Sequence, residues 1–289
     1  MKRARSQSIF AFALLCALMF VGALAAPDHR QADPPALLPF EPSEELTYEA
    51  EVSKSLLRGI TIAELHFKAE RTTEKTKDEG GASSSRLRFT GETFTKGLFT
   101  KLFGIHYRQH VESIVDPISF TVLQTTKLEE QDNRKRSSEA VFDPSKGKVV
   151  WTERDPNNPQ QEPRVVTSDF SGTVQDIASV FYFLRTQRLA PGKRVEVTIS
   201  DSGRVYRLPI SVVEKKKMKT VLGNVMTLRL DPELFGEGRL IRGEGKISVW
   251  LTDDARHIPV QARVSTGRGT VTIKLKKVTN GTPAKANKD

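Results

Sequence analysis

Thr173-Val-Gln-Asp-Ile-Ala-Ser-Val-Phe-Tyr-Phe-Leu-Arg-Thr-Gln-Arg-Leu189 is the one stretch of this 289-residue chain that clearly breaks a period of two. Val174, Ile177, Ala178, Phe181, Leu184 and Arg185 recur at helical spacing and form one largely apolar stripe. Thr173 can serve as the N-cap, with Asp176 three residues on to close a capping box. Pro191-Gly192 stops the run. The spacing predicts an amphipathic helix over about 173–189, its stripe packed on the rest of the fold and Phe181 buried.

On both sides of this stretch the chain alternates. Leu46, Tyr48, Ala50 and Val52 share one strand face, and Ala63, Leu65, Phe67 and Ala69 share the next, with Arg58-Gly59 as the turn between them. Further strands are expected over Arg86–Phe94, Ile105–Val115, Ser119–Leu128, Lys135–Phe142 and Lys148–Thr152. After the helix they resume over Arg194–Ser200, Val205–Val213, Met218–Leu230, Gly245–Leu251 and Ile258–Leu275. Asp116-Pro117 and Asp143-Pro144 mark turns. The stretch from Thr76 to Ser85 is polar and rich in glycine and serine, and Asp155 to Pro163 holds three prolines; both read as loops. Many short strands and one helix predict a mainly β fold. The expected architecture is a large antiparallel curved sheet, closing into a barrel or half-barrel, with the helix packed on it.

The first 25 residues read as a secretory signal peptide. Lys2, Arg3 and Arg5 precede an apolar run from Ile9 to Leu24, and Ala23-Leu24-Ala25 has the small-x-small pattern of a cleavage site. The expected divisions are a signal at 1–25, a proline-rich linker at 26–39, a single β domain at 40–278 and a disordered tail at 279–289. Cleavage would leave no transmembrane segment, and the run is short for a spanning helix of about 20 residues. It would also remove Cys16, the only cysteine, which excludes disulfides and thiolate chemistry. The formal charge falls from +10 to +7, since 45 basic residues become 42 against 35 acidic ones. Basic clusters lie at Arg134-Lys135-Arg136, at Lys215-Lys216-Lys217 with Lys219, and at Lys274 with Lys276-Lys277. Such clusters read first as solvated strand edges. An anionic envelope surface is their functional reading, and an exported chain is not expected to meet nucleic acid.

No catalytic pattern emerges. His106 and His110 are four apart, a zinc-ligand spacing on a helix, but their segment alternates as a strand. On a strand the two would stand roughly 13 Å apart, too far to share a metal. Asp253-Asp254 beside His257 suggests acid–base chemistry or calcium, yet Asp-Asp-Ala-Arg between apolar runs is a hairpin turn in which Asp bonds local backbone. No nucleophile elbow or glycine-rich phosphate loop is present. No metal and no cofactor are expected.

Three stretches together are similar to a known family: Leu38-Pro-Phe-Glu-Pro-Ser-Glu-Glu-Leu-Thr-Tyr48, then Val174 to Arg185 with Leu189-Ala-Pro-Gly192, then Ile247-Ser-Val-Trp-Leu-Thr-Asp-Asp-Ala-Arg-His-Ile-Pro-Val260. They resemble the bacterial family catalogued as domain of unknown function 3108. Its members open with Pro-Phe…Gly-Glu-x-Leu-x-Tyr, carry Asp-x-x-Ser-x-x-Tyr-x-x-Arg centrally, and end on Trp-Leu-Ser/Thr-Asp-Asp…Pro-Val. The resemblance runs in order from about Phe40 to Val278. Two positions depart: Ser43 stands where the family usually has Gly, and Phe181 precedes Tyr182 where one aromatic is typical. The resemblance implies an exported envelope protein, periplasmic or associated with the outer envelope of a bacterium, with an antiparallel β fold. It implies no activity.

The expected function is therefore a non-catalytic binding or carrier module for an apolar or lipid-like ligand. From Thr93 to Gly104, large apolar residues are interleaved with Thr, Lys and Gly in no clean period, so Phe94, Phe99, Leu102 and Phe103 are the candidate ligand-binding residues, with Leu98 beside them. A structural protein of an envelope assembly is the alternative. A hydrolase of envelope lipid or glycan comes third, because no polar site converges in the sequence.

Overall fold

A computed structural model describes residues 38–54, 57–75, 83–96, 100–101 and 104–280. The chain first forms eight strands: β1 (Glu44–Lys54), β2 (Leu57–Lys75), β3 (Ser83–Thr95), β4 (Tyr107–Val115), β5 (Val122–Gln131), β6 (Arg134–Asp143), β7 (Lys148–Arg154) and β8 (Arg164–Asp169). A two-residue strand β9 (Val174–Gln175) and the helix α1 (Ser179–Arg185) follow. The chain then runs through β10 (Arg194–Asp201), β11 (Arg204–Thr220), β12 (Gly223–Pro232), β13 (Gly245–Thr252), β14 (Pro259–Thr266) and β15 (Gly269–Asn280). All the strands join one sheet in the order β8-β7-β6-β5-β4-β3-β2-β1-β15-β14-β13-β12-β11-β10-β9. Every neighbouring pair is antiparallel except β9 with β10. The first and last strands meet in the middle, Glu44 opposite Asn280 and Ser53 opposite Thr270.

This order forces the sheet to curl. β8 and β9 lie at opposite edges, yet only Phe170 to Thr173 joins them. Five residue steps reach at most about 17 Å, so the two edges must approach each other. They approach without pairing as strands, and the sheet stays open. Side chains and the β10–β11 turn bridge the seam instead. The Ser168 hydroxyl donates to the Gly203 carbonyl at 2.7 Å. Gly203 has φ +76°, and a Cβ there would lie 2.8 Å from the Cβ atoms of Trp151 and Val166.

The curl encloses the core. Buried Phe40, Leu87, Phe89, Val115, Phe120, Val122, Phe142, Val149 and Trp151 pack with Tyr182 of α1 on one side. On the other, Val180 and Leu184 of α1 pack with Val197, Ile199, Ile210, Leu228, Leu230 and Leu251. Leu46, Tyr48, Ala50, Ala63 and Ala69 are buried as their alternation predicts. The mainly β, curved-sheet expectation holds, with the helix lying inside the curl.

Four local expectations are corrected. The helix covers Ser179–Arg185 only, because Val174 and Gln175 pair with Thr198 and Ile199 of β10 instead of winding. The first turn lies earlier than Arg58-Gly59: Lys54 pairs with Leu57, and Gly59, at φ +70°, sits within β2. Met218–Leu230 and Ile258–Leu275 each contain a hairpin, at Thr220–Gly223 and Thr266–Gly269. β8, which the sequence reading passes over, forms the sheet edge. The signal (1–25) and almost all of the linker and tail lie outside the described residues, as do 76–82.

Candidate functional site

α1 is held at both ends by buried polar groups. At its start the Asp176 carboxylate accepts the backbone N–H groups of Ala178 (3.0 Å) and Ser179 (2.8 Å), while the Ser179 hydroxyl accepts the N–H of Asp176 at 2.9 Å. That is a reciprocal cap in which Asp176, not Thr173, is the capping residue and Ser179 replaces the usual Glu. The second Asp176 oxygen accepts hydroxyls from Ser113 of β4 (2.5 Å) and Thr125 of β5. The cap thereby ties α1 to the first half of the sheet.

At the other end stands Arg185, whose side chain is 1 % exposed. Its guanidinium clasps the Glu44 carboxylate of β1 at 2.5 and 3.1 Å. It also donates to the carbonyls of Pro39 (2.9 Å) and Arg256 (2.9 Å) and lies over the rings of Phe40 and Tyr182. His257 donates from Nδ1 to the Arg185 carbonyl at 3.0 Å, and Tyr48 donates to the Pro259 carbonyl at 2.8 Å. His257 sits in the turn after β13, where Asp254 accepts from Thr252 and from the N–H groups of Arg256 and His257. The hairpin-turn reading of Asp253-Asp254 is correct. Partial burial pushes the Asp254 carboxyl up, but those hydrogen bonds and the Arg256 charge outweigh it and hold the group below the usual carboxylate range. A buried charge pair is sustained only when its remaining donors and acceptors are satisfied; the Pro39 and Arg256 carbonyls take the remaining guanidinium donors here.

Beside this node, between α1 and strands β1, β2, β13, β14 and β15, lies a cavity of about 60 Å³. Leu46, Leu65, Phe67, Phe181, Val249, Pro259, Ala262 and Ile273 give it apolar walls, and Tyr48, Tyr182, Arg185 and Gln261 complete the lining. Phe181 is half-buried against Phe67, with ring centres 5.3 Å apart, so the expected full burial is corrected. Tyr182 takes that role, 1 % exposed and stacked on Phe89 at 4.1 Å. Its hydroxyl meets no hydrogen-bond partner among the described residues. Burial drives the hydroxyl's pKa well above the ordinary tyrosine value, with Glu44 adding to the rise, so it remains a neutral donor.

A smaller space of about 30 Å³ lies near the seam, where Lys127, Ser138, Asp176 and Asp201 meet apolar Phe142 and Trp151. Asp201 is raised above its ordinary pKa, chiefly by burial, although Lys127 at 3.9 Å and the Ser202 hydroxyl oppose the rise. His106 precedes β4 and His110 lies within it, so the strand reading stands, and His110 faces Glu92 at 3.0 Å. Of the candidate ligand residues, Phe94 lies near the end of β3, opposite Glu64 and Arg108 and stacked on His66, not among the cavity-lining side chains. Leu98, Phe99, Leu102 and Phe103 lie outside the described residues. Sequence reasoning missed Arg185 and Glu44 as partners. A signal was there for Arg185, a charge that closes the apolar run Val180–Leu184, but not for Glu44, which stands among Glu41, Pro42, Ser43 and Glu45 like a surface residue.

An open antiparallel sheet curled around a helix that is pinned by Asp176 and Arg185 defines the class of this protein. The chain belongs to the family described as "Protein of unknown function (DUF3108)", whose model matches residues 47–276. The resemblance seen in the sequence is thereby established, and its three stretches are the ones that converge on Arg185. No curated protein matches the chain. Among solved structures it is similar to a beta-barrel-like protein of domain of unknown function DUF1849 from Brucella abortus. That match has 14% identity and a TM-score of 0.48, covering 82% of this chain and 96% of that one. A protein from Bacteroides fragilis described as exported, with a YmcC-like fold, matches at 9% identity and TM-score 0.29, over 84% and 98% of the two chains. One from Parabacteroides distasonis described as a lipoprotein matches at 8% and 0.28, over 84% and 98%.

Proposed function

We propose that this is a non-catalytic module of the bacterial cell envelope that binds an apolar, lipid-like group in the cavity beside α1. The carrying observation is an apolar cavity lined in part by Tyr182, whose buried hydroxyl has no hydrogen-bond partner among the described residues. An apolar chain bearing one acceptor oxygen suits those walls. At about 60 Å³ the space is far smaller than the ~300–1,000 Å³ of a drug-sized pocket. It takes the end of a chain, and the half-buried Phe181 and Phe67 form the wall that must part for more. The basic n-region and cleavage pattern support export, with the periplasm or outer envelope as the place of action. Among the described residues no helix is long and apolar enough to cross a membrane. The oxygens of Asp176 are occupied by donors from its own cap and the sheet, which supports a structural role for that carboxylate over a hydrolytic one.

Mass spectrometry of solvent extracts from protein purified without detergent tests the reading. Lipid should co-purify, and a fluorescent fatty acid should be displaced by it. Leu65→Trp, which fills the cavity, should abolish both. A ligand-free protein that also fails to bind the probe overturns this reading in favour of a scaffold.

A further inference from the structure

The hairpin of β11 and β12 outruns its neighbours. β10 pairs with β11 only as far as Ser211, and β13 pairs with β12 only from Thr227 to Leu230. The ribbon beyond, Met218 opposite Val225 to Thr220 opposite Gly223, pairs with itself alone, and just before it the Met226 carbonyl still accepts the Asp253 N–H at 2.9 Å. One face leans back on the body, where Met218 and Leu222 pack against the cluster around Trp250. The other face is free, and Lys217, Lys219 and Met226 are exposed on it.

Three properties of this ribbon point the same way. From Lys215 to Leu230 there are five basic residues and no acidic one. Lys215 bonds Asp253 at 2.7 Å, and Arg229 bonds Glu214 and Asp231. Lys216, Lys217 and Lys219 are exposed and have no carboxylate partner among the described residues. Secondly, the tip is apolar where turns are usually polar. Gly223 at φ +90° closes the turn, and Val221-Leu222 fill its two central positions. Leu222 is half-buried against the Trp250 cluster, whereas Val221 is 54% exposed and Met226 44%, with no packing to account for them. Thirdly, apolar side chains among unpaired lysines fit a surface with anionic headgroups over hydrocarbon. A soluble polyanion would use the lysines and leave Val221 and Met226 idle.

We propose that the β11–β12 tip docks this protein on an anionic phospholipid bilayer, with Lys216, Lys217 and Lys219 at the headgroups and Val221 and Met226 inserted between them. It extends the envelope reading by naming the contacting surface, and it requires export but not occupancy of the cavity.

Vesicle flotation of the exported chain tests it, using phosphatidylglycerol with phosphatidylethanolamine against phosphatidylcholine alone. Binding should be confined to the anionic vesicles and weaken with salt. Lys216→Gln with Lys217→Gln and Lys219→Gln should lower partitioning on the order of a hundredfold. Val221→Ser with Met226→Ser should lower it by about tenfold or more while preserving the salt dependence. All these residues are exposed, and unchanged circular dichroism confirms folding. No wild-type binding, or binding equal in all variants, overturns the proposal. So does binding that needs the lysines but not Val221 and Met226, which is general attraction to polyanions. Fatty-acid binding, measured on the same samples, separates the two readings: probe binding without vesicle binding defeats the docking surface alone.

Discussion

Single residues at the Arg185 node have separable roles. Removing Arg185 leaves Glu44, whose side chain is 3% exposed, as an unpaired buried charge. Arg185→Met should cost about 3–5 kcal/mol in denaturant unfolding. Adding Glu44→Leu should recover part of that loss, because the double variant buries no lone charge, while the Pro39 and Arg256 carbonyls remain unpaired. Additive losses in the double variant would show that the two residues are not coupled. Ser43 has φ +87°, a conformation that glycine adopts freely and other residues adopt at a cost. The family's usual glycine at this position thus has a physical reason. Ser43→Gly should raise stability by up to about 1 kcal/mol, read as a melting temperature some 2–4 °C higher. Asp254 carries a pH dependence. Its folded pKa lies below the ordinary aspartate value, so its contribution is present above that value and lost as pH falls through the folded one. Its side chain is 47% exposed, which limits the effect to about 1 kcal/mol or less. Asp254→Asn keeps the acceptor oxygen, and its stability profile should be flatter than wild type between pH 5 and pH 2.

At the scale of the element, α1 is short because its flanks are recruited elsewhere. The apolar stripe starting at Val174 reads as helix in sequence, but Val174 and Gln175 extend the sheet beside β10. A partner about 24 residues later in the chain outweighs local periodicity, which sees only near neighbours. The same stripe misplaces the buried aromatic. Tyr182, off the stripe, enters the Phe40–Phe89–Phe120 cluster, whereas Phe181 borders the cavity. Tyr182→Ala should therefore cost about 3–5 kcal/mol and Phe181→Ala distinctly less. Tyr182→Phe removes a hydroxyl without a partner and should be neutral or slightly stabilising. It should weaken fatty-acid binding several-fold if that hydroxyl serves the ligand. A clear loss of stability in Tyr182→Phe would show that the hydroxyl is already bonded.

For the whole molecule, the seam between the two sheet edges is the weak line. Gly203→Ala puts a Cβ against Trp151 and Val166 and should cost at least about 1–3 kcal/mol. Amide exchange should then rise first in β8, the edge strand, with β1 and β15 in the sheet centre protected longest. Uniform acceleration would mean that the seam does not open by itself. The sequence determined that the chain is mainly β, where most strands run, that Asp254 makes a turn, and that one helix interrupts them. Side-chain periodicity and turn chemistry are local, so they survive in a string of letters. Only the tertiary structure decided that β8 and β9 stand at opposite edges, that Met218–Leu230 folds back as a ribbon, and that Glu44, Arg185 and the Arg256 carbonyl meet. The last of these depends on contacts between residues 141 and 71 positions apart. Such contacts become defined only when the curled sheet excludes water and every buried polar group must find its partner.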